Sequence, residues 1–106
     1  MHRIPVNESY TEIVKLRRML IDECIPHECS AMYDGMMIQY TMGREKYIVA
    51  SVVEYCESEG HESDRLELRG LLTPQERKVC GSLGNLTAEQ VFARIKEHAQ
   101  SRRRVR

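Results

Sequence analysis

The sequence has no net charge and no long apolar run. Sixteen lysines and arginines balance sixteen aspartates and glutamates over 106 residues, so no overall field attracts nucleic acid or a membrane. No stretch approaches the roughly 20 apolar residues that span a bilayer, and MHRIPVNES at the start contains no apolar signal-peptide core. We therefore expect a cytoplasmic protein of one domain, residues 1–106, whose four cysteines stay reduced.

The two ends of the chain are poorly suited to a core. Pro5 keeps the first residues extended, and residues 101–106 carry four arginines. We expect an N-terminal arm at 1–7 and a frayed basic tail at 101–106.

Three segments carry the clearest helix signals. Apolar residues at three- and four-residue spacing predict an amphipathic helix over 9–24, and Ser9 and Glu12 fit a capping box at its start. A threonine followed by proline and, three residues on, by glutamate predicts a short helix after Thr73. A second apolar stripe predicts the last helix over 88–100.

Three further segments, 27–32, 36–41 and 47–55, have the composition of strands. The dipeptide Asp34-Gly35 between the first two is a strong signal for a tight hairpin turn. The predicted fold class is α+β: a three-stranded antiparallel meander on which the N- and C-terminal helices pack, in the order α-β-β-β-α-α.

Leucines follow the third predicted strand after a polar loop. Ser63-Asp64 fits the cap of a short helix that would hold Leu66 and Leu68 and end at Gly70. The predicted core draws on all these elements and comprises Ile13, Leu16, Leu20, Ile38, Val49, Val53, Leu68, Leu72, Val91, Phe92 and Ile95.

The third predicted strand is apolar on both faces. Its second face carries Tyr47, Val49, Val53 and Tyr55, and a strand that is apolar on both faces is usually covered on both. Because the helices cover one face, we expect a symmetric homodimer, the commonest closed assembly.

Cysteine and histidine are spaced loosely rather than in pairs. Cys24, His27 and Cys29 would supply three ligands of a tetrahedral zinc site. The spacing is not C-x-x-C, however, and Cys24 continues the stripe of the first helix, which favours a small buried hydrophobe. Cys56 and His61 offer a nucleophile and a base without a third, orienting group. We therefore predict no catalytic residue, no metal and no cofactor.

The polar loop after the third strand is the best candidate binding surface. It combines a ring, a hydroxyl, an imidazole, carboxylates and guanidinium groups, which suit a small polar ligand with rings and charges. Binding residues often lie on loops carried by a rigid scaffold, although a solvated connection whose glycine only permits a turn is the alternative. The candidate ligand-binding residues are Tyr55, Ser58, Gly60, His61, Glu62, Arg65 and Arg69.

Methionines surround the first hairpin. Met32, Met36 and Met37 are interpreted first as core filler. The alternative is an adaptable surface that binds a partner protein.

The order of elements resembles the double-stranded RNA-binding domain. That domain starts its last helix with lysines, whereas this helix opens with Thr87-Ala88-Glu89-Gln90, and the net charge is zero. The likeness is therefore one of topology, and nucleic acid is not an expected partner.

Four stretches stand out together: Ser51 to Glu54, Gly60 to Glu62, Leu66 to Thr73, and Gly84 to Ile95. On these stretches, roughly residues 8 to 99 resemble a group of small uncharacterised phage and prophage proteins of Gram-positive bacteria. The resemblance implies an accessory protein that inhibits a process of the bacterial host, antiviral defence included, in the host cytoplasm.

These observations together predict a non-enzymatic phage-type protein that binds and sequesters a partner, a nucleotide-like signal of host defence. An anionic ligand would meet Arg65 and Arg69, a ring would stack on Tyr55, and His61 would add a contact that titrates near neutral pH. The alternatives are a protein inhibitor of a host protein and a small zinc-binding or nucleic-acid-associated module.

Overall fold

The computed structural model describes residues 7–104, so six residues of the predicted arm and the last two of the predicted tail lie outside the described residues. The elements in chain order are helix α1 (Thr11–Asp22), strands β1 (His27–Met32), β2 (Gly35–Met42), β3 (Tyr47–Glu54) and β4 (Leu66–Arg69), helix α2 (Pro74–Val79), strand β5 (Leu83–Leu86) and helix α3 (Ala88–Arg104). The α+β class is confirmed. Residues 101–104 continue α3, and arginine is a good helix former.

All five strands form one antiparallel sheet in the order β1-β2-β3-β4-β5, of which the predicted meander is the first part. The prediction of a short helix over Leu66 and Leu68 is wrong. Each leucine in LELR is followed by a charged residue, which is the period of a strand, and both leucines are fully buried in β4. Strand β5 carries no sequence signal, because its four residues, LGNL, include glycine and asparagine.

Helices α1 and α3 pack on each other and on one face of the sheet. The predicted core residues that the structure buries there are Ile13, Leu16, Leu20, Ile38, Leu68, Leu72, Val91 and Ile95. Val49 and Phe92 are partly buried and pack against this core. The prediction for Val53 is wrong, because Val53 pairs with Met37 on the opposite face of the sheet.

The face of the sheet that α1 and α3 leave uncovered is called the open face below. Burial alternates along β2 from Met36 to Tyr40 and along β3 from Val49 to Glu54, with the open-face side chains only half-buried. The open-face residues of β1 to β4 are Glu28, Ser30, Met32, Met37, Gln39, Ser51, Val53, Glu67 and Arg69.

The hairpin between β1 and β2 turns one residue earlier than predicted. Met32 pairs with Gly35, so Tyr33 and Asp34 are its two loop residues, and Tyr33 adopts a left-handed conformation with φ of 52°. Gly35 instead permits a close approach of two strands, because a Cβ there would lie 1.8 Å from the carbonyl oxygen of Glu54.

Candidate ligand-binding site on the open face

Cross-strand pairing arranges the open face in two rows that run across the strands from β1 to β4. The first row is apolar at its centre, and the second is polar at its centre, with a carboxylate at one end and a guanidinium at the other. The rows are Ser30, Met37, Val53 and Glu67, and Glu28, Gln39, Ser51 and Arg69.

A hollow of about 350 Å³ lies on this face. Its volume falls in the range of small-molecule sites, which are mostly apolar with a few polar groups that orient the ligand. The lining residues are Met32, Met37, Ser51, Val53, Tyr55, Glu67 and Arg69.

Two tyrosine rings form an aromatic platform at the hollow. The ring of Tyr33, from the first hairpin, stacks on the ring of Tyr55, with 5.8 Å between centroids and 15° between planes. Tyr33 is 76% exposed, so its outer ring face meets solvent. The position of Tyr33 follows from the early turn of the hairpin, which the sequence did not predict.

Two opposite charges lie together on the β4 side of the hollow. The Glu67 side chain is 15% exposed, and its Oε1 accepts a hydrogen bond of 2.8 Å from the backbone N–H of Glu59. The side chain of Arg69 is 75% exposed, and its Nε lies 3.9 Å from Oε2 of Glu67. That separation is long for an ion pair, so the Arg69 guanidinium keeps donors for a ligand.

Three of the predicted site residues build the polar loop itself. The hydroxyl of buried Ser58 accepts from the backbone N–H of Tyr55 and donates to its carbonyl. Gly60 has a φ of 93°, and a Cβ there would lie 3.0 Å from the Cβ of Arg65. The Arg65 Nη1 donates to the carbonyl oxygens of Ser63 and Asp64. These contacts match the turn-forming role that was the alternative interpretation of the loop.

The other two loop residues, His61 and Glu62, are not among the residues that line the hollow. The ring of His61 meets the ring of Tyr10 edge to face, with centroids 6.4 Å apart, and its Nε2 lies 3.8 Å from the carboxylate of Glu62, which is 89% exposed. Of the predicted site residues, the structure brings together Tyr55 and Arg69.

A buried acid group ties this loop to α1. Glu54 has no exposed surface, and its Oε1 accepts from the backbone N–H of Ile13 at 3.1 Å. Burial and the hydrogen bond to Asp64 raise the pKa of Glu54 to about 8. Its Oε2 accepts from no donor among residues 7–104, which is consistent with a protonated Glu54 that donates to Asp64.

Asp64 caps α1 from the far end of the loop. Its Oδ1 accepts from the backbone N–H groups of Thr11 and Glu12, and its Oδ2 accepts from the Thr11 hydroxyl. Burial acts to raise the pKa of Asp64, but the hydrogen bonds with Glu54, Thr11 and Glu12 outweigh it and lower that pKa. The predicted Ser9 capping box is wrong, because the N-cap, Tyr10, makes no side-chain cap bond.

The cysteines and histidines do not converge in the described part of the chain, where no group of three potential ligands is placed to hold a metal ion. Cys24 is exposed rather than buried as predicted, Cys29 packs against the core, and Nδ1 of His27 is 2.7 Å from the carbonyl oxygen of Ile25. Desolvation and nearby Asp34 raise the pKa of Cys56, so less of the reactive thiolate is present at neutral pH.

Comparisons with protein-family models, with curated proteins and with solved structures found no match. No helix within residues 7–104 is long and apolar enough to cross a membrane.

Proposed function

We propose that the protein is a non-enzymatic, phage-type accessory protein that binds and sequesters a small nucleotide-like anion in the open-face hollow. The observation that carries the proposal is the joint presence of an aromatic platform and an exposed guanidinium at one hollow of ligand size. The resemblance to phage proteins supports a host-defence signal as the ligand class and the cytoplasm of a bacterial host as the place of action.

The ring of the ligand stacks on the tyrosine platform. Tyr55 lines the hollow and is backed by Tyr33, so the platform is held in place before the ligand arrives. A stacked base typically contributes about 1–3 kcal/mol and tolerates different bases.

The anionic group of the ligand pairs with Arg69, and its neutral donors meet the other polar groups. A guanidinium binds phosphate through charge-assisted, often bidentate hydrogen bonds. Ser51 and Glu67 line the same hollow, and a carboxylate accepts only. Glu67 therefore favours an amino group of a base and disfavours a second phosphate beside it.

Isothermal titration calorimetry with nucleoside phosphates and cyclic oligonucleotides tests this proposal. We expect binding by the wild type, weakened about 10- to 100-fold by Arg69→Gln through loss of a charge-assisted hydrogen bond. Tyr55→Ala should weaken binding about tenfold.

Arg18→Gln is the matched control, because Arg18 is exposed on α1 and the helices lie on the other side of the sheet. It should bind as the wild type does. No heat with any nucleotide would reject the sequestration of such ligands. Hydrolysis products in the calorimeter cell would show that the protein is an enzyme.

A second candidate function is the inhibition of a host protein through the same face. The observation that favours it is the half-buried pair Met32 and Met37, which lines the hollow and offers an adaptable apolar contact. Recovery of one host protein by the wild type, lost in Met37→Lys and without any nucleotide binding, would select this function.

A further inference from the structure

The two rows of the open face are complementary to themselves. Each row runs across four strands, β1 to β4, and the midpoint of each lies between β2 and β3. Each residue on β1 therefore has a counterpart on β4 at the same distance from the midpoint, and each residue on β2 has one on β3. A second copy of the sheet can be rotated by 180° about an axis that runs parallel to the strands at this midpoint. Each residue of one copy then lies opposite its counterpart in the other copy.

We propose that a second copy of the chain packs its open face on this one about that two-fold axis and completes the ligand-binding site. Glu28 then lies over Arg69 of the second copy, and Gln39 lies over Ser51 of the second copy. Met37 lies over Val53 of the second copy. Two sheets packed face to face in this way, about 10 Å apart, are the arrangement of a β-sandwich.

Charge and hydrogen bonding favour this axis. A carboxylate meets a guanidinium at both ends of one row, an amide meets a hydroxyl at its centre, and apolar side chains meet in the other row. An axis across the strands would instead oppose Gln39 to Met37 and Ser51 to Val53. That arrangement would leave an amide and a hydroxyl buried without partners, which costs about 1–3 kcal/mol for each group.

Sequestration gives the second copy a role in the site, and this step rests on the proposed function. The hollow is open on the side away from the sheet, whereas small-molecule sites typically bury about 70–90% of a ligand. The axis places the two hollows over each other. A ligand between them is covered on both sides.

Charge reversal tests the interface in sedimentation experiments without ligand. Wild type should be dimeric at high micromolar concentration. Glu28→Arg and Arg69→Glu each oppose like charges twice in the dimer, so each should raise the dimer dissociation constant about 100-fold or more. The double variant Glu28→Arg/Arg69→Glu restores opposite charges and should dimerise again.

Glu97→Arg is the matched control, because Glu97 is exposed on α3, behind the sheet. This variant should remain dimeric. The ion pair between Lys46 and Glu28, 3.0 Å long and exposed, is lost in Glu28→Arg, but such surface pairs contribute little to folding. If a charge variant does not fold, the methyl resonances of Met32 and Met37 in wild type should still shift on dilution.

A monomeric wild type would overturn the proposal, as would single charge reversals that stay dimeric or methyl resonances that do not change on dilution. Because sedimentation needs no ligand, the two proposals fail separately. A dimer that binds no nucleotide keeps the interface and rejects the sequestration of nucleotides. A monomer that binds nucleotide does the reverse.

Discussion

The protonation state of Glu54 links the sheet to the start of α1. Its fully buried carboxyl group accepts from Ile13 and bonds to Asp64, which accepts in turn from Thr11 and Glu12. A neutral Glu54 can make both hydrogen bonds, because one oxygen accepts and the other carries a proton to donate. An ionised Glu54 would place a buried negative charge next to that of Asp64. The burial of this acid could not be predicted, because a glutamate near the end of an apolar strand is ordinarily exposed.

Stability should therefore fall as the pH rises. The pKa of Glu54 is raised from 4.5 to about 8, so its contribution is complete below the lower value and is lost as the pH passes through the upper one. We expect the free energy of unfolding, measured with denaturant, to fall across this window by at most about 1.4 kcal/mol per pH unit. The pKa of Asp64 is lowered, so its contribution to stability depends on pH in the opposite direction and is lost as the pH falls into the acid range.

Glu54→Gln should flatten this dependence, because an amide can keep both hydrogen bonds and does not titrate. Glu62→Gln, at a side chain that is 89% exposed, should leave the slope unchanged. An equal slope in wild type and Glu54→Gln would show that another group titrates.

Two neighbouring positions of α3 should respond differently to truncation. Ile95 has no exposed surface, whereas Phe92 is partly buried beneath Lys96, whose Nζ is 5.8 Å from the ring centroid. In denaturant melts, Ile95→Ala should cost about 2–5 kcal/mol. Phe92→Ala should cost less than the roughly 3–5 kcal/mol of a buried phenylalanine. A larger loss at Phe92 than at Ile95 would contradict the burial described.

At the scale of elements, a side chain from elsewhere in the chain accepts a hydrogen bond from the first turn of each long helix. Asp64 caps α1 from 53 residues away. The carboxylate of Glu12 leaves its own helix and accepts from the backbone N–H of Ala88, 76 residues away at the start of α3, at 2.7 Å. Local boxes are also present: Thr73 and Glu76 of α2 each accept from the backbone of the other, as predicted, and Thr87 and Gln90 do the same at the start of α3.

Asp64→Ala should therefore loosen α1 although it lies outside that helix. Loss of an N-cap typically costs about 1–2 kcal/mol, and Asp64 accepts for two backbone donors. Hydrogen exchange at Thr11 and Glu12 should accelerate. Ser9→Ala is the control and should leave those amides protected. Faster exchange in Ser9→Ala, without faster exchange in Asp64→Ala, would show that Ser9 and not Asp64 caps the helix.

The elements with a local signal could be predicted, and those without one could not. Each predicted element has a signal that lies within a short stretch of sequence. These signals are the helical period of α1 and α3, the β-branched run of β3 and the threonine box of α2. Strand β4 is too short for its alternation to outweigh the helix cap suggested by Ser63-Asp64. Asp64 does cap a helix, but the helix is α1, and no sequence spacing indicates a cap at such a distance.

For the whole molecule, the open face decides which predicted site residues can act together. The loop was predicted as one surface, yet the strand register takes Tyr55 and Arg69 to the hollow, while burial and local hydrogen bonds hold Ser58 and Arg65 in the loop. Met37 was interpreted as core filler. Its place opposite Val53 depends on pairing between strands, which the sequence of either strand alone does not show.

The proposed self-association through this face predicts that thermal stability depends on protein concentration. Binding between folded copies stabilises the folded state by mass action, so the wild-type Tm should rise with concentration. The Tm of Glu28→Arg should stay constant over the same range, and that of Glu97→Arg should follow the wild type. A wild-type Tm independent of concentration would contradict dimerisation through any face.

The distant cap of α1 also sets an order of events during synthesis. The residues of α1 leave the ribosome before those of the sheet, and their backbone donors meet Glu54 and Asp64 only after 41 to 53 further residues have been made. Until then, the first helix is a short amphipathic segment with open donors at its start, and isolated helices of this length are marginal in water. Helix α1 therefore gains its lasting structure late, when the sheet beneath it has formed.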